Sequence, residues 1–347
     1  MKRRSFIQTI STTLLASLLP SRLHSEETTH LNNPTLETIK EGYGGNVLKD
    51  GKFENLFYRP NDKSLWDVLK WRWSDNPLRD IKNAKSDFRY PLIKNNPELK
   101  TDKNFIAWLG HATFLIQIDG KQIITDPVLF DIPMIKRLLP TPIHPKEINP
   151  DYTLISHGHY DHLDIQTLEH FPNTTALVPL KFSKLIDSIS ESMEIQEAGW
   201  FQKYSINESF EIYLLPAHHW HSRYGIDRDE ILWGSFLIKA NGVTIYFAGD
   251  TAYSKHFKAI NEVFGEIDYA LMPVGAYNPR WFMKESHIDP QDSIQAFKEL
   301  GAKHFIPMHY GTYDLTDEPY DEPIELLKTL GIDIDYTILD IGGVLKI

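Results

Sequence analysis

Cysteine is absent from all 347 residues. That excludes disulfides, thiolate nucleophiles and thiolate metal ligands at once, so any metal site has to be built from histidine, aspartate and glutamate. Such donors suit zinc, manganese or iron better than copper(I) or an iron–sulfur cluster. Positive charge is also in short supply: 36 Lys and Arg stand against 47 Asp and Glu, for a formal charge of −11 at pH 7. No long basic run supplies the footprint that nucleic-acid binding needs, and an anionic substrate requires a local positive centre, which a bound metal provides. What is present is 41% hydrophobic and 12% aromatic residues, enough for a sizeable core in one large domain with an elaboration, or in two.

The opening residues, MKRRSFIQTISTTLLASLLPSRLHS, read as an address. Lys2, Arg3 and Arg4 precede a weakly apolar stretch of roughly 15 residues rich in Ser and Thr, short of the length of a spanning helix. The paired arginines followed by Ser5-Phe6-Ile7 resemble a twin-arginine signal over residues 1–25. Such a signal implies export of an already folded protein to the periplasm or beyond, with membrane association as a further option. The plain alternative is a frayed basic terminus.

Residues 26–103 read as a polar, irregular extension, broken by Pro34, Pro60, Pro77, Pro91 and Pro97, that is expected to pack on the core. Within it, SLWDVLKWRW places Leu65, Trp66, Leu69 and Trp73 at helical spacing behind Ser64, a suitable cap. This helix either covers the core or lies in a lipid interface with Lys70 and Arg72 at the headgroups.

Over residues 104–347 the pattern changes to short apolar runs separated by turn signals. FIAWLGH, FLIQIDGKQIITD, YTLISH, EIYLLPAHH, SFLIKANGVTIYFAGD, YALMPVG and HFIPMH predict strands, two of them hairpins turning at Asp119-Gly120 and Asn241-Gly242. Helices are expected near residues 165–170, 182–188, 255–264, 290–300 and 323–330. This alternation predicts an α/β fold with sheets between helical layers.

The apolar runs stop at His111, Asp126, His157, His219, Asp250 and His309. Strand ends in layered α/β architectures converge on one edge, so residues distant in sequence can share a site. The densest contribution is HGHYDH. His157 and His159, two apart on an extended segment, project to the same side and can grip one ion. Asp161 and His162 follow at a helix start and turn toward a second position, while Asp164 reads as the helix-start residue itself. Two-metal sites need ions about 3.5–4 Å apart with a shared anionic ligand, and Asp250 in FAGDT is the candidate bridge.

Together with WLGHATFLIQIDGKQIITDPVL, AHHW, LWGSF, GAYNPRWFMKESHIDP and MHYGTY, the SHGHYDHLD and FAGDT motifs resemble the metallo-β-lactamase superfamily. Within it they are similar to the family of zinc-dependent phospholipases D that hydrolyse N-acylphosphatidylethanolamines. The likeness runs from Asn104 to Ile332 in the same order, and GAYNPRWFM is its most family-specific part. It implies an αββα sandwich, two mixed β-sheets flanked by helices, over residues 104–347. It also implies two zinc ions, with manganese or iron as the alternatives in such folds. His157, His159 and His219 would hold one ion, Asp161, His162 and His309 the other, and Asp250 would bridge them. In AHHWH, His218 points away from His219 while His221 shares its side; the following Trp220 favours His219 in the family pattern.

The resemblance further implies that His111 and Asp126 orient ligands through hydrogen bonds, the alternative for Asp126 being a turn before Pro127. Asp161 would orient the nucleophile or take its proton, and His287 would contact the phosphate or the leaving group, unless it only neighbours the cap of the helix at Pro290. Tyr160 is expected to line the substrate entrance, and Arg280 to pair with phosphate or to form a structural ion pair. The implied reaction is phosphodiester hydrolysis releasing phosphatidic acid and an N-acylethanolamine. A lactonase or small-molecule phosphodiesterase of the same superfamily, and a non-catalytic metal-binding envelope protein, are the competing readings. Expected partners are the phospholipid or another phosphodiester, a membrane in peripheral contact and a second copy of the chain, with no nucleic acid.

Overall fold

In the strand Phe105–Gly110 all six residues are buried, and their side chains alternate between two apolar clusters. Ile106 and Trp108 enter one; Phe105, Ala107 and Leu109 enter the other. A strand with both faces covered must lie between two layers. This is the centre of a computed structural model that describes residues 28–57, 63–206 and 209–347. The export address expected over residues 1–25 lies outside the described residues.

Two large sheets face each other. The first runs, in spatial order, Glu194–Ala198, Thr175–Pro179, Tyr152–Leu154, Lys121–Thr125, Thr113–Ile118, Phe105–Gly110 and Val344–Lys346. The second runs Asp335–Tyr336, Ala302–Met308, Ile267–Pro273, Val243–Phe247, Ser235–Ala240, Phe210–Leu215, Gln202–Lys203 and Glu37–Thr38. Trp108, Phe114, Leu154, Trp200, Trp233, Phe236 and Phe247 belong to the larger cluster, which draws on both sheets. The short helices Ile165–Leu168 and Ser183–Ile186 contribute to the second cluster, on the other face of the first sheet. Helices His256–Phe264, Pro290–Leu300 and Glu322–Leu330 serve the second sheet. The architecture is the expected sandwich of two mixed sheets flanked by helices.

Each sheet is mixed in the same way. Lys121–Thr125 pairs antiparallel with Thr113–Ile118 and parallel with Tyr152–Leu154. Val243–Phe247 likewise pairs antiparallel with Ser235–Ala240 and parallel with Ile267–Pro273. Following these directions through the ladders, Phe105–Gly110, Lys121–Thr125 and Tyr152–Leu154 all point the same way in their sheet. So do Phe210–Leu215, Val243–Phe247 and Ala302–Met308 in theirs. One to four residues beyond these six ends stand His111, Asp126, His157, His219, Asp250 and His309. Strand polarity alone thus delivers them to sheet edges, as ligand-binding loops require.

Local signals explain the boundaries. Asp119 and Gly120 have φ of 48° and 75°, and Asn241 and Gly242 have 50° and 74°, the two consecutive left-handed residues of a tight hairpin. The Pro290–Leu300 helix begins with Asp289 accepting the Asp292 amide and ends at Gly301 with φ of 72°. Asp164 caps Ile165–Leu168 by accepting the amides of Gln166 and Thr167. Ser64 and Asp67 form a reciprocal capping box at the start of Leu65–Trp73.

The extension is more regular than its composition suggests. Thr28–Leu31, Asn46–Lys49 and Lys52–Phe53 form a small antiparallel sheet, and Arg79–Ala84 is a second helix. Strands of two to four residues are too short to show a period. Thr175–Pro179, Glu194–Ala198 and Val344–Lys346 also escape the sequence reading, because their neighbours in the sheet rather than their own pattern define them. Helix around residue 185 is confined to Ser183–Ile186 and continues as a 3-10 turn over Asp187–Ser192. No helix among the described residues is long and apolar enough to cross a membrane.

Candidate metal centre

The edge carries two facing donor sets. In one, His157 Nε2 lies 2.8 Å from His159 Nδ1, and His219 Nε2 lies 3.3 Å from that same nitrogen. In the other, His162 Nε2 and His309 Nε2 are 3.3 Å apart, with Asp161 Oδ2 at 3.8 and 3.7 Å from them. Asp250 stands between the sets: its Oδ2 is 3.7 Å from His219 Nε2, 3.9 Å from His157 Nε2 and 3.2 Å from His162 Nε2. Its Oδ1 is 2.9 Å from His309 Nε2 yet makes no aligned hydrogen bond.

The outer atoms of the rings decide which nitrogen faces inward. Asp126, fully buried, accepts from the Ser156 amide at 2.7 Å, from the Ser156 hydroxyl at 2.6 Å and from His162 Nδ1 at 2.6 Å. With its proton given to Asp126, the Ser156 oxygen accepts from His157 Nδ1 at 2.9 Å. His219 Nδ1 donates to the Ser286 carbonyl at 2.9 Å. In all three rings the N–H is directed outward, so an unshared pair on Nε2 points into the site. Lone pairs and carboxylate oxygens converging in a buried volume need a cation. For a tetrahedral ion with metal–nitrogen bonds near 2.0–2.1 Å, donor atoms sit about 3.3 Å apart, which the His162–His309 and His159–His219 spacings match. The residues present fit a pair of metal ions.

The electrostatics agree. Burial, with repulsion among neighbouring rings, holds His157 well below its ordinary value; burial likewise takes His159 down to about 3 and His219 well down. These rings stay neutral, as ligands must. Burial alone would lower His309 too, but Asp250 and Asp161 outweigh it and raise it to about 9. His162 is raised in the same sense against its burial, by Asp250, Asp161 and Asp126. Burial would raise Asp161 and Asp250, yet the surrounding imidazoles hold both carboxyls well below the carboxylate range.

His111 Nε2 lies 3.1 Å from Asp161 Oδ2, beside the second donor set. His111, Asp126 and His309 adopt φ of 54°, 32° and 63°, the sharp reversals that swing strand-end side chains back over the edge; such backbone clusters at functional sites. Gly249 lets the two sheet edges close, since a Cβ there would meet Ser156 Cβ at 2.8 Å. His287 faces the pair of sites from the opposite side, with Nδ1 3.8 Å from Asp250 Oδ2. Its side chain is 18% exposed and that of Asp161 15%, against 0–1% for His157, His162, His219, His309 and Asp250. Approach from solvent therefore passes Asp161, His287 and the part-buried His159.

Of the two residues expected at the substrate, Arg280 takes its alternative role, a structural ion pair. The Arg280 guanidinium is held by Asp289 at 3.2 Å, Asp292 at 3.2 Å and the His287 carbonyl at 3.0 Å. It braces the segment behind His287 instead of offering a free cation to phosphate, because two carboxylates at the helix start already neutralise it. Tyr160 is 40% exposed but lies under Arg223, whose guanidinium carbon is 3.9 Å from the ring centre, on a groove with Asp131, Ile132 and Leu163. In AHHWH, His219 enters the donor set, while His221 Nδ1 accepts the Gly158 amide at 3.2 Å from behind the loop. Ser156, Ser286, Arg223 and Asn55 support the ligands without any signal in the sequence, since each acts through a backbone or hydroxyl contact.

Residues 121–310 match a family described as a beta-lactamase superfamily domain. The chain is 32% identical over 304 residues to an N-acyl-phosphatidylethanolamine-hydrolyzing phospholipase D of Caenorhabditis elegans, covering 82% of this chain and 80% of that protein. It is 30% identical over 242 residues to a UPF0173 metal-dependent hydrolase of Methanopyrus kandleri, covering 68% of this chain and 97% of that one. Among solved structures, an isothiocyanate hydrolase from Delia radicum gut bacteria matches with a TM-score of 0.57 at 17% identity, over 70% of this chain and 98% of that one, a likeness of fold. With its strand-edge donor sets and these relatives, the chain belongs to the metallo-β-lactamase superfamily and is a metal-dependent hydrolase.

Proposed function

We propose that the protein is a binuclear zinc phosphodiesterase of the phospholipase D type, releasing an N-acylethanolamine and phosphatidic acid from N-acylphosphatidylethanolamine. The observation that carries this reading is the single carboxylate, Asp250, set between two complete donor groups. His157, His159 and His219 would hold one ion, Asp161, His162 and His309 the other, with Asp250 as the carboxylate both sets would share. When bound, such a pair supplies an activated water at neutral pH and offsets charge on the phosphoryl oxygens. The substrate assignment draws its support from the likeness to the Caenorhabditis elegans phospholipase.

The chain's own residues divide the remaining work. Asp161, held by His111, orients the attacking water. His287, across Asp250 and open to solvent on one side, faces the leaving oxygen; burial lowers it to about 4, so it stays neutral and offers that oxygen a ring N–H hydrogen bond. Asp126 and Ser156 keep His157 and His162 in the tautomer that binds metal.

A lipid substrate also needs a surface that meets a bilayer. Trp71 stacks on Phe282 at 4.9 Å and donates to Asp317 at 2.9 Å, which turns one side of Leu65–Trp73 inward. Trp66 and Trp73 are each 73% exposed, Trp281 is 45% exposed, and Lys70 sits 4.6 Å from the Trp281 ring centre. Exposed indoles among lysines suit the headgroup region, and the short helix Arg280–Met283 links this patch to the His287 segment. Periplasmic or other exported placement goes with this reading.

Zinc-loaded protein should be assayed against vesicles containing N-acylphosphatidylethanolamine, soluble bis-p-nitrophenyl phosphate and a panel of lactones. Release of phosphatidic acid supports the proposal. Turnover of lactones alone sinks it in favour of a lactonase, and two bound ions with no ester or diester turnover would leave a metal-binding protein without catalysis.

A further inference from the structure

His219 lies four residues beyond the end of the strand Phe210–Leu215, so no ladder holds its peptide groups in register. Buried amides and carbonyls need partners, and here both come from one side chain. Asn55 Nδ2 donates to the His219 carbonyl at 2.8 Å, and the His219 amide donates to Asn55 Oδ1 at 3.2 Å. The carboxamide thus exchanges two hydrogen bonds with one residue, as the opposite peptide does in a closely bonded antiparallel pair. Asn55 belongs to the extension, ahead of the residues that match the superfamily domain, 121–310.

The neighbouring contacts extend the same device. The Phe53 amide donates to the Asp229 carbonyl at 2.7 Å, the Asp229 amide to the His221 carbonyl at 2.8 Å, and the His221 amide to Asp229 Oδ1 at 3.0 Å. On the other side, the His218 amide donates to Thr251 Oγ1 at 3.0 Å and the Ala252 amide to the His218 carbonyl at 2.8 Å, next to Asp250. The segment His218–His221 is therefore suspended between the Asp250 loop and the extension. His219, in the middle, depends on Asn55 for both of its peptide groups.

We propose that Asn55 is a positioning residue for the metal ligand His219, so that the extension completes the first half of the metal site from outside the superfamily domain. This rests on the reading of His219 as a ligand. The side chain touches neither ion nor substrate; it fixes the backbone from which the imidazole projects, while the Ser286 carbonyl fixes the ring's rotation. Outer contacts of this kind typically change metal affinity by about 10–100-fold.

The full chain and its Asn55→Ala, Asn55→Asp and His219→Ala variants should be stripped of metal and reloaded with zinc against a chromogenic chelator, and separately with cobalt(II) to record the ligand-field absorption. Melting temperatures of the metal-free forms are measured alongside. The expected result is that Asn55→Ala binds two ions, one of them about tenfold or more weaker, with an altered cobalt spectrum and a metal-free form that melts a few degrees lower but still cooperatively. Asn55→Asp, which keeps the acceptor for the His219 amide and lacks the donor for its carbonyl, falls between Asn55→Ala and the parent. His219→Ala loses one ion. Parent-like affinity and cobalt spectrum in both Asn55 variants, with one ion lost in His219→Ala, overturn the proposal and leave the site reading intact. Collapse of the fold in both Asn55 variants also overturns it, since Asn55 then serves the fold and not the ligand. Retention of both ions by His219→Ala removes the site reading itself, and the proposal with it.

Discussion

Asp126 Oδ2 stands 2.6 Å from His162 Nδ1, and the same oxygen takes the Ser156 hydroxyl that orients His157. One buried carboxylate therefore directs an imidazole in each half of the site. Asp126→Asn keeps the shape but places an N–H2 group among donors, so the relay to at least one ring fails. Affinity for both ions is expected to fall by about 10–100-fold, measured by chelator competition. A loss confined to the His157 ion would contradict a shared relay.

Asp250→Asn removes the charge that both donor sets share. The expected loss of diesterase activity exceeds the roughly 10–100-fold cost typical of a residue outside the ligand set, with a lowered ion content seen by elemental analysis. Parent-like activity at two ions per chain would refute the bridging role.

Arg223 pins the metal loop from behind. Its Nη1 lies 3.1 Å from the Gly158 carbonyl and 2.8 Å from that of Leu163, so it closes the stretch that carries His159, Asp161 and His162. Hydrogen bonds from a charged donor are worth about 1.5–3 kcal/mol. Arg223→Ala should lower stability by about 2 kcal/mol in urea titration and weaken both ions; an effect on one ion alone would show that the loop is not held as a unit.

The metal-free protein should have a stability optimum near neutrality. His309 has its folded value raised from 6.5 to about 9, so its contribution is fully present below 6.5 and is lost as pH rises through about 9. His159, lowered from 6.5 to about 3, acts on the other side: below 6.5 the unfolded chain takes up a proton the folded ring refuses, and stability falls. Thermal melts of stripped protein across this range check both limbs. The metal-loaded form should lose less between pH 6.5 and 9, because metal replaces the proton on His309.

Replacing Trp66 and Trp73 by serine should reduce binding to anionic vesicles while leaving hydrolysis of a soluble diester and the melting temperature within error. Both indoles are largely solvent-exposed, and surface substitutions away from packed features stay within about 0.5 kcal/mol. Unchanged vesicle binding, measured by co-sedimentation, would assign lipid access to another surface.

Much of the site was legible because chemistry and local signals coincide. HGHYDH crowds donors into one loop, the Asp–Gly and Asn–Gly hairpins announce their turns, and His and Asp recur where apolar runs stop. Arg280 was not legible: an arginine near a phosphate-site motif looks the same whether free or paired, and only the fold sets Asp289 and Asp292 beside it. The strands Glu37–Thr38 and Val344–Lys346 were equally silent, since edge strands of two or three residues are defined by the partner they find.

The sequence by itself determined the donor chemistry. Without cysteine, the site had to be imidazole and carboxylate, and short-range periodicity and turn residues dictated where each strand stopped. Tertiary structure decided which donors meet. Parallel strand polarity in two mixed sheets brings His157, His219, Asp250 and His309 to one edge, and selects His219 over His221. It also assigns Asn55, Ser156 and Arg223 to the ligands they support. Those contacts depend on backbone groups and positions distant along the chain, for which side-chain identity carries no local signal.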